Sequence, residues 1–336
     1  MTEPIIAVDA FGGDYSPHEI IKGALEASDQ YGIQTVLVGQ KNVLNMLLRK
    51  YSTKNSITIV DAKQSIDYHE HPVKAIRSKP NSSIVVGTKM VKAGDASAFV
   101  SAGNTGAVLT AAFLYLDKLE NIERPALCGV INVNPSHPVL LIDAGANVDC
   151  RPLFLAQFAE FGSIFARRIL SLETPRISLL NIGEEDVKGN ALTKETFEIL
   201  SKSDINFNGN IEGHDIFKGK TDVIVTDGFT GNIVLKTMEG FGEFITDLLQ
   251  PEQSLKVASG ISGRALIQYS EMINKVKHMD YKEYGGACLL GVKGNIIVAH
   301  GRSKSTAIKN AIHLAYQTSK SNVLEAVKEH TPLISE

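Results

Sequence analysis

Five apolar runs in this sequence end in a polar residue and then turn on glycine: Asp9-Ala10-Phe11-Gly12-Gly13-Asp14, Ser101-Ala102-Gly103-Asn104-Thr105-Gly106, Asp143-Ala144-Gly145-Ala146-Asn147, Asn181-Ile182-Gly183 and Asp227-Gly228-Phe229-Thr230-Gly231-Asn232. Glycine lets the backbone approach a ligand closely, and the first amides of a following helix keep N–H groups open to an anion. Taken singly, each segment is an ordinary turn. At the carboxyl ends of parallel strands, however, they would share one rim and line one cleft. Asp9, Gly12, Gly13, Asp14, Gly103, Asn104, Thr105, Gly106, Asp143, Asn147, Asp227, Gly228, Thr230 and Gly231 thereby become candidates for binding a phosphate or an oxyanion.

Other chemistries find less support. The stretch Gly213 to Thr221 resembles a P-loop, but five residues separate its glycines and a strand pattern follows. No Gly-x-Gly-x-x-Gly follows the first apolar run, which argues against the usual dinucleotide fingerprint. His69-Glu70-His71 lacks the helical spacing of a zinc protease and no Cys-x-x-Cys occurs, so neither metal nor cofactor is expected. Without a Gly-x-Ser-x-Gly elbow or a marked cysteine, direct transfer is simpler than covalent catalysis. Composition alone reads Lys188 as an exposed loop lysine.

These turns need elements to hold them. Apolar runs of strand length occur at Ile5 to Val8, Thr35 to Val38, Ser56 to Val60, Ala98 to Val100, Val139 to Ile142, Ile177 to Leu180 and Asp222 to Val225. Helical patterns lie between most of them, which predicts a mostly parallel sheet covered on both faces, a three-layer α/β/α, Rossmann-like fold. Cys288 to Ala299 reads as an antiparallel hairpin around Gly294-Asn295, making the sheet mixed, and a last helix is expected from Ser305 to Ser319. The apolar stretch 96–116 is broken by its glycine turn and predicts a buried strand followed by a buried helix rather than a membrane span. Residues 1–336 read as one catalytic domain. Within it, 240–282 reads as a helical hairpin packed on its own core, a dimer arm or a membrane-touching tip.

A net charge of -3, with 43% hydrophobic and 21% charged residues, describes an ordinary globular chain without the basic stripe of a nucleic-acid binder. Three widely spaced cysteines do not make a disulfide framework, and the first residues carry no signal-peptide pattern, so a cytoplasmic location is expected.

The glycine-turn motifs, together with Pro17 and Asp149-Cys150-Arg151-Pro152, identify the chain as resembling the bacterial acyl-acyl carrier protein:phosphate acyltransferases over nearly its whole length. The resemblance implies transfer of a long-chain fatty acyl group from acyl carrier protein to inorganic phosphate, giving acyl phosphate for phospholipid synthesis. It implies a fold similar to phosphotransacetylases and isopropylmalate dehydrogenases, a homodimer, and peripheral contact with the inner face of the cell membrane. A membrane glycerol-3-phosphate acyltransferase is the expected consumer of the product. Lys188 and Asn232 are the catalytic candidates it implies. Phe11, Cys288 and His214 stand where methionine, proline and arginine are usual in the family. For the acidic carrier protein, Lys74 and Arg77 are the candidate docking residues. The rival readings are a short-chain transferase using coenzyme A, a nicotinamide-linked decarboxylating dehydrogenase, and a non-catalytic membrane scaffold.

Overall fold

The computed structural model describes residues 3–51, 57–131, 137–248 and 285–330. Eleven strands form one sheet: β1 (Ile5–Asp9), β2 (Gln34–Gly39), β3 (Thr58–Asp61), β4 (Ala98–Ser101), β5 (Ala126–Ile131), β6 (Val139–Ile142), β7 (Ile177–Asn181), β8 (Phe207–Glu212), β9 (Val223–Val225), β10 (Gly286–Leu290) and β11 (Asn295–Ala299). Their spatial order is β3-β2-β1-β4-β11-β10-β5-β6-β9-β7-β8. The helices are α1 (His18–Tyr31), α2 (Lys41–Leu48), α3 (Pro72–Ser78), α4 (Ser83–Ala93), α5 (Thr105–Tyr115), α6 (Pro152–Ile169), α7 (Ala191–Ser201), α8 (Gly228–Leu248), α9 (Ser305–Lys320) and α10 (Val323–His330).

The fold is the mixed, mostly parallel α/β arrangement that the alternation predicts. Side chains alternate across the sheet, as period-two geometry requires. Ile6, Val8, Val100, Cys128, Ile142 and Val225 pack with residues of α1, α6 and α9 on one face. On the other, Ala7, Phe99, Leu127, Leu289 and Ile296 pack with α4 and α5. Leu141 and Ile224 instead meet the inner side of α8, through Val234, Leu235 and Met238. Phe99 is fully buried because Gly87 of α4 has no side chain; a Cβ there would strike its ring. Burial of such a ring stabilises by about 1.5–3 kcal/mol.

One expectation fails in an informative way. The β10–β11, β10–β5 and β5–β6 pairings are antiparallel. Strands β6, β9, β7 and β8 are parallel to one another and, after three reversals, run opposite to β1, β2, β3, β4 and β11. The glycine turns after β1 and β4 therefore leave one edge of the sheet, and those after β6, β7 and β9 leave the other. They do not share a rim. The hairpin β10–β11 makes this seam and lies in the middle of the sheet.

Two strands, β5 and β8, are absent from the sequence reading. Strand β8 is an edge strand whose Asn208-Gly209-Asn210 interrupts any apolar run, and its pairing with β7 carries a register shift. The predicted break in 96–116 falls between β4 and α5, and the last long helix ends at Lys320. Of the expected hairpin arm at 240–282, helix α8 covers the part up to Leu248, and the remainder lies outside the described residues. Among the described residues, no helix is long and apolar enough to cross a membrane.

Candidate active site

On the second face, the helices leave a gap between α5 and α8, and there a cleft of about 430 Å³ opens over the antiparallel seam. Its floor is Leu127 and Gly129 of β5, Ala287 of β10 and Val298 of β11. The floor is lowest where its residues are small. Gly129 and Ala287 are cross-strand partners, and a Cβ added at Gly129 would meet nothing nearer than 3.9 Å. Four strand steps separate β4 from β6, about 19 Å at ~4.8 Å per step. The starts of α5 and α8, which come from the two opposed halves, both border this floor, through Thr105 and Asn232.

The first wall is built on Asp9, the last residue of β1. Its buried carboxylate accepts from the Ser101 hydroxyl at 2.7 Å and from the Phe11 amide at 3.1 Å. Burial raises its pKa, and hydrogen bonds from Ser83, Ser101 and the turn oppose that rise. Gly12 is needed for closeness, because a Cβ would lie 2.6 Å from both Asp9 Oδ2 and the Gly103 nitrogen. Gly13 has φ +96° and packs against Ala102 and the Gly301 carbonyl. Asn104 caps α5 by accepting from the Ala107 amide at 3.0 Å, while its Nδ2 donates to the Tyr68 and Glu70 carbonyls at 2.8 and 3.0 Å. Its side chain is spent on holding that loop. Gly106 admits Pro72, which a Cβ would meet at 2.6 Å. What this wall presents to the cleft is Asp14, Tyr68, His69 and Thr105 at the start of α5.

The second wall is built on Asp143, which follows β6 and is fully buried. One carboxylate oxygen accepts from the amides of Leu127, Gly145 and Ala146 at 2.9, 3.1 and 3.0 Å. The other accepts from the Asn147 amide and side chain at 2.7 and 2.8 Å. Burial is again the largest influence and raises the pKa, opposed by these donors. Asn147 also donates to the Pro125 carbonyl at 2.8 Å. Asp227 caps α8, accepting from the Thr230 amide and hydroxyl at 2.8 Å each. Gly228 and Gly231 let α8 start against this turn. A Cβ on Gly228 would lie 2.6 Å from the Asn147 carbonyl, and one on Gly231 would strike the Asp143 carbonyl. Asn232, exposed one residue later, packs on Gly145 and lines the cleft.

Of the residues singled out from sequence, then, Asp14, Thr105 and Asn232 reach the cleft. The other candidates, in the turns after β1, β4, β6 and β9, shape its walls from behind, whereas the Asn181-Ile182-Gly183 turn after β7 supplies no lining residue. Sequence reasoning missed Tyr68, His69, Lys236, Glu239, His300 and Arg302 as lining residues. A signal existed for some: Ala299-His300-Gly301-Arg302 is another strand end with a glycine turn, and Lys236 and Glu239 follow Asn232 at helical spacing on α8.

Lys188 is not among the lining residues. It lies in the loop after β7, where its Nζ stands 3.9 Å from Glu185 and its carbonyl accepts from Asn181 at 3.1 Å. Lys74 and Arg77 are exposed on α3, whose Pro72 abuts the first wall. His214 lies between Glu212 and Asp215, at 3.1 and 3.4 Å, outside the cleft lining. All three cysteines are free thiols. Burial pushes Cys128 well up and Cys150 and Cys288 to about 12, so none supplies a thiolate near neutral pH.

The comparisons give this geometry its context. A family described as fatty acid synthesis protein matches residues 5–326. A phosphate acyltransferase of Dehalococcoides mccartyi is 54% identical over 325 residues, covering 97% of this chain and 94% of the relative. This chain belongs to the phosphate acyltransferase family of fatty acid synthesis. It is accordingly an acyltransferase, and phosphate is its implied substrate. A phosphotransacetylase from Streptococcus pyogenes superposes with a TM-score of 0.64 at 17% identity, covering 96% of this chain and 94% of that one. A 4-hydroxythreonine-4-phosphate dehydrogenase from Klebsiella pneumoniae reaches 0.56 at 14% identity, covering 95% and 98%. At such identities these two likenesses concern the fold alone, and it is the fold that the sequence resemblance implies.

Proposed function

We propose that this acyltransferase takes a long-chain fatty acyl group from acyl carrier protein and places it on inorganic phosphate, giving acyl phosphate for phospholipid synthesis. The observation that carries this reading is the cleft, where two cationic side chains, Lys236 and Arg302, share one lining with the N-terminus of α5 at Thr105 and the Asn232 amide. A phosphate is attracted to such a site by charge and by the helix dipole. Its oxygen attacks the thioester carbonyl carbon, forming the new C–O bond and a tetrahedral oxyanion. Asn232 donates to that oxyanion; the C–S bond then breaks, and the leaving pantetheine thiolate takes up a proton. Lys188, a catalytic candidate on the resemblance alone, is the residue we assign to holding phosphate.

Lys74 and Arg77, exposed beside the first wall, offer an acidic carrier protein its docking charge. A homodimer is supported by large apolar side chains exposed at the carboxyl ends of the adjacent strands β6, β9 and β7, namely Val148, Phe229, Ile233, Ile182 and Val187. Residues 1–336 act as one catalytic domain. Cytoplasmic location, peripheral contact with the inner membrane face and hand-over to a membrane glycerol-3-phosphate acyltransferase complete the reading.

The test is thiol release from palmitoyl-acyl carrier protein with and without inorganic phosphate, in chelator, with palmitoyl-coenzyme A in parallel. Phosphate-dependent release that prefers the carrier-protein donor supports the reading. Preference for coenzyme A overturns the donor, and release from neither overturns the reaction.

A further inference from the structure

His300 follows β11 directly and stands at the mouth of the cleft, its side chain 29% exposed. Its Nε2 faces Glu239 Oε2 at 3.3 Å, and the Glu239 side chain is only 14% exposed. On the other side of the ring, Nδ1 accepts the backbone N–H of Arg302 at 3.2 Å. An imidazole that accepts at Nδ1 carries its ring proton on Nε2, so the contact to Glu239 runs from donor to acceptor. Both ring nitrogens are therefore engaged. A general base for the attacking phosphate needs a nitrogen within reach of the proton; with both nitrogens turned to protein partners, the role these contacts support for His300 is a mechanical one.

What it joins is informative. Glu239 lies on α8, three residues beyond Lys236 and seven beyond Asn232, so all three share one helix face and all line the cleft. Helix α8 follows β9, in the reversed half of the sheet, whereas His300 and Arg302 follow β11, in the other half. The His300–Glu239 contact thus crosses the cleft between walls that the sheet approaches from opposite directions. At its two ends it fixes the Arg302 backbone and the cleft face of α8.

We infer that His300 and Glu239 form a positioning bracket. It sets the distance between Arg302 and Asn232, and so decides whether one bound phosphate and one thioester carbonyl are held at the same time. The pair touches no reacting atom and acts through Arg302 and Asn232. The identity of what it positions rests on the proposed function; the bracket itself rests on the contacts above. Small displacements suffice, because a misplacement near 1 Å typically lowers a reaction by on the order of a hundredfold.

The experiment uses the full chain with His300→Ala, Glu239→Ala, the double variant and Glu239→Gln. Two quantities are read: the inorganic phosphate concentration giving half-maximal thermal stabilisation, and KM for phosphate against kcat in thiol release. Each alanine variant is expected to raise the half-stabilising phosphate concentration and KM by about tenfold. The double variant should be no worse than either single one within about twofold, as partners in one interaction are. Glu239→Gln keeps an acceptor for Nε2 and should recover most of the loss.

A lower melting temperature with unchanged phosphate response and KM would reduce the pair to a structural contact, and multiplying single effects would show two independent residues. If the alanine variants do not fold, His300→Asn and Glu239→Asp carry the same readouts, with the same outcomes for and against. An inactive wild type whose phosphate stabilisation still shifts in the variants overturns the proposed reaction and supports the bracket. An active wild type with unshifted variants overturns the bracket alone.

Discussion

Both walls of the cleft rest on a buried aspartate at a strand end, but they satisfy it differently. Asp143 collects four backbone amides and one side-chain amide, all from its own turn, the neighbouring strand β5 or Asn147. Asp9 collects the Phe11 and Gly12 amides of its own turn and two hydroxyls, those of Ser101 on the next strand and Ser83 on α4. The Asp143 wall is therefore locked mainly by backbone amides, which cannot rotate away, and it supports the helix that carries Asn232. The Asp9 wall depends on hydroxyls, which can turn, and it presents a helix start and loop side chains. Pre-organised donors belong where charge develops, and looser groups suffice where a substrate is merely attracted.

Removing the lock should have the largest effect. Asp143→Ala leaves five donors without their acceptor, at ~1–3 kcal/mol for each that stays buried and unpaired. A loss of at least about 4 kcal/mol in urea unfolding is expected; a loss under about 1 kcal/mol would make the two walls alike.

Next comes chemistry on that wall. Asn232→Ala removes one oxyanion donor, worth about 2.7–4 kcal/mol, so kcat should fall roughly a hundred- to a thousandfold with an unchanged melting temperature. Near-normal turnover would take Asn232 out of the mechanism and remove the chemical difference between the two walls.

A third carboxyl calibrates the first two. Glu160 on α6 is buried on the opposite face, and burial alone raises it from 4.5 to about 7. A raised acid binds its proton more tightly in the folded state, so stability is greatest below pH 4.5 and is lost as pH rises through about 7. Wild type should lose about 3 kcal/mol at most across that window, and Glu160→Gln should flatten the profile. An equally steep profile in the variant would assign the pH dependence to Asp9 and Asp143 instead.

Smaller still, Ser101→Ala removes a donor to Asp9 and the acceptor of the Gly103 amide. About 2 kcal/mol is expected by denaturant unfolding, clearly less than for Asp143→Ala. Last, Lys74→Glu with Arg77→Glu should raise KM for acyl carrier protein about fivefold, mostly lost in high salt, without altering kcat. No change would free the first wall from any part in docking.

Much of this molecule is legible in its sequence. Continuous apolar runs such as Ile5 to Val8 and Val139 to Ile142 have the length and turn boundaries of strands covered on both faces, and the glycine turns that follow them do flank one cleft. Direction is what such runs do not encode. Nothing in Ala126 to Ile131 announces a strand that pairs antiparallel on both sides, so two edges were read as one rim. The lining residues His300, Arg302, Lys236 and Glu239 come from segments far apart in the chain, and only the seam brings them together. Asn104 and Asp143 illustrate the converse: their positions were legible, but their full hydrogen-bonding complement, which makes them builders of the site, depends on neighbours such as Tyr68 and Leu127.

The seam also orders events during synthesis. Strand β11 inserts between β4 and β10, and its Asn295 donates to the Ser97 carbonyl across 198 positions of sequence. Until residues 286–299 have left the ribosome, β4 and β5 are both open edges, and each half of the sheet must wait with an unpaired flank. Such long-range closure is slow, and exposed edges invite pairing with other chains. The last strands made are the ones that turn two half-sheets into one cleft, so a chain truncated before them would keep only the β5 part of the floor and lose His300 and Arg302 from the lining.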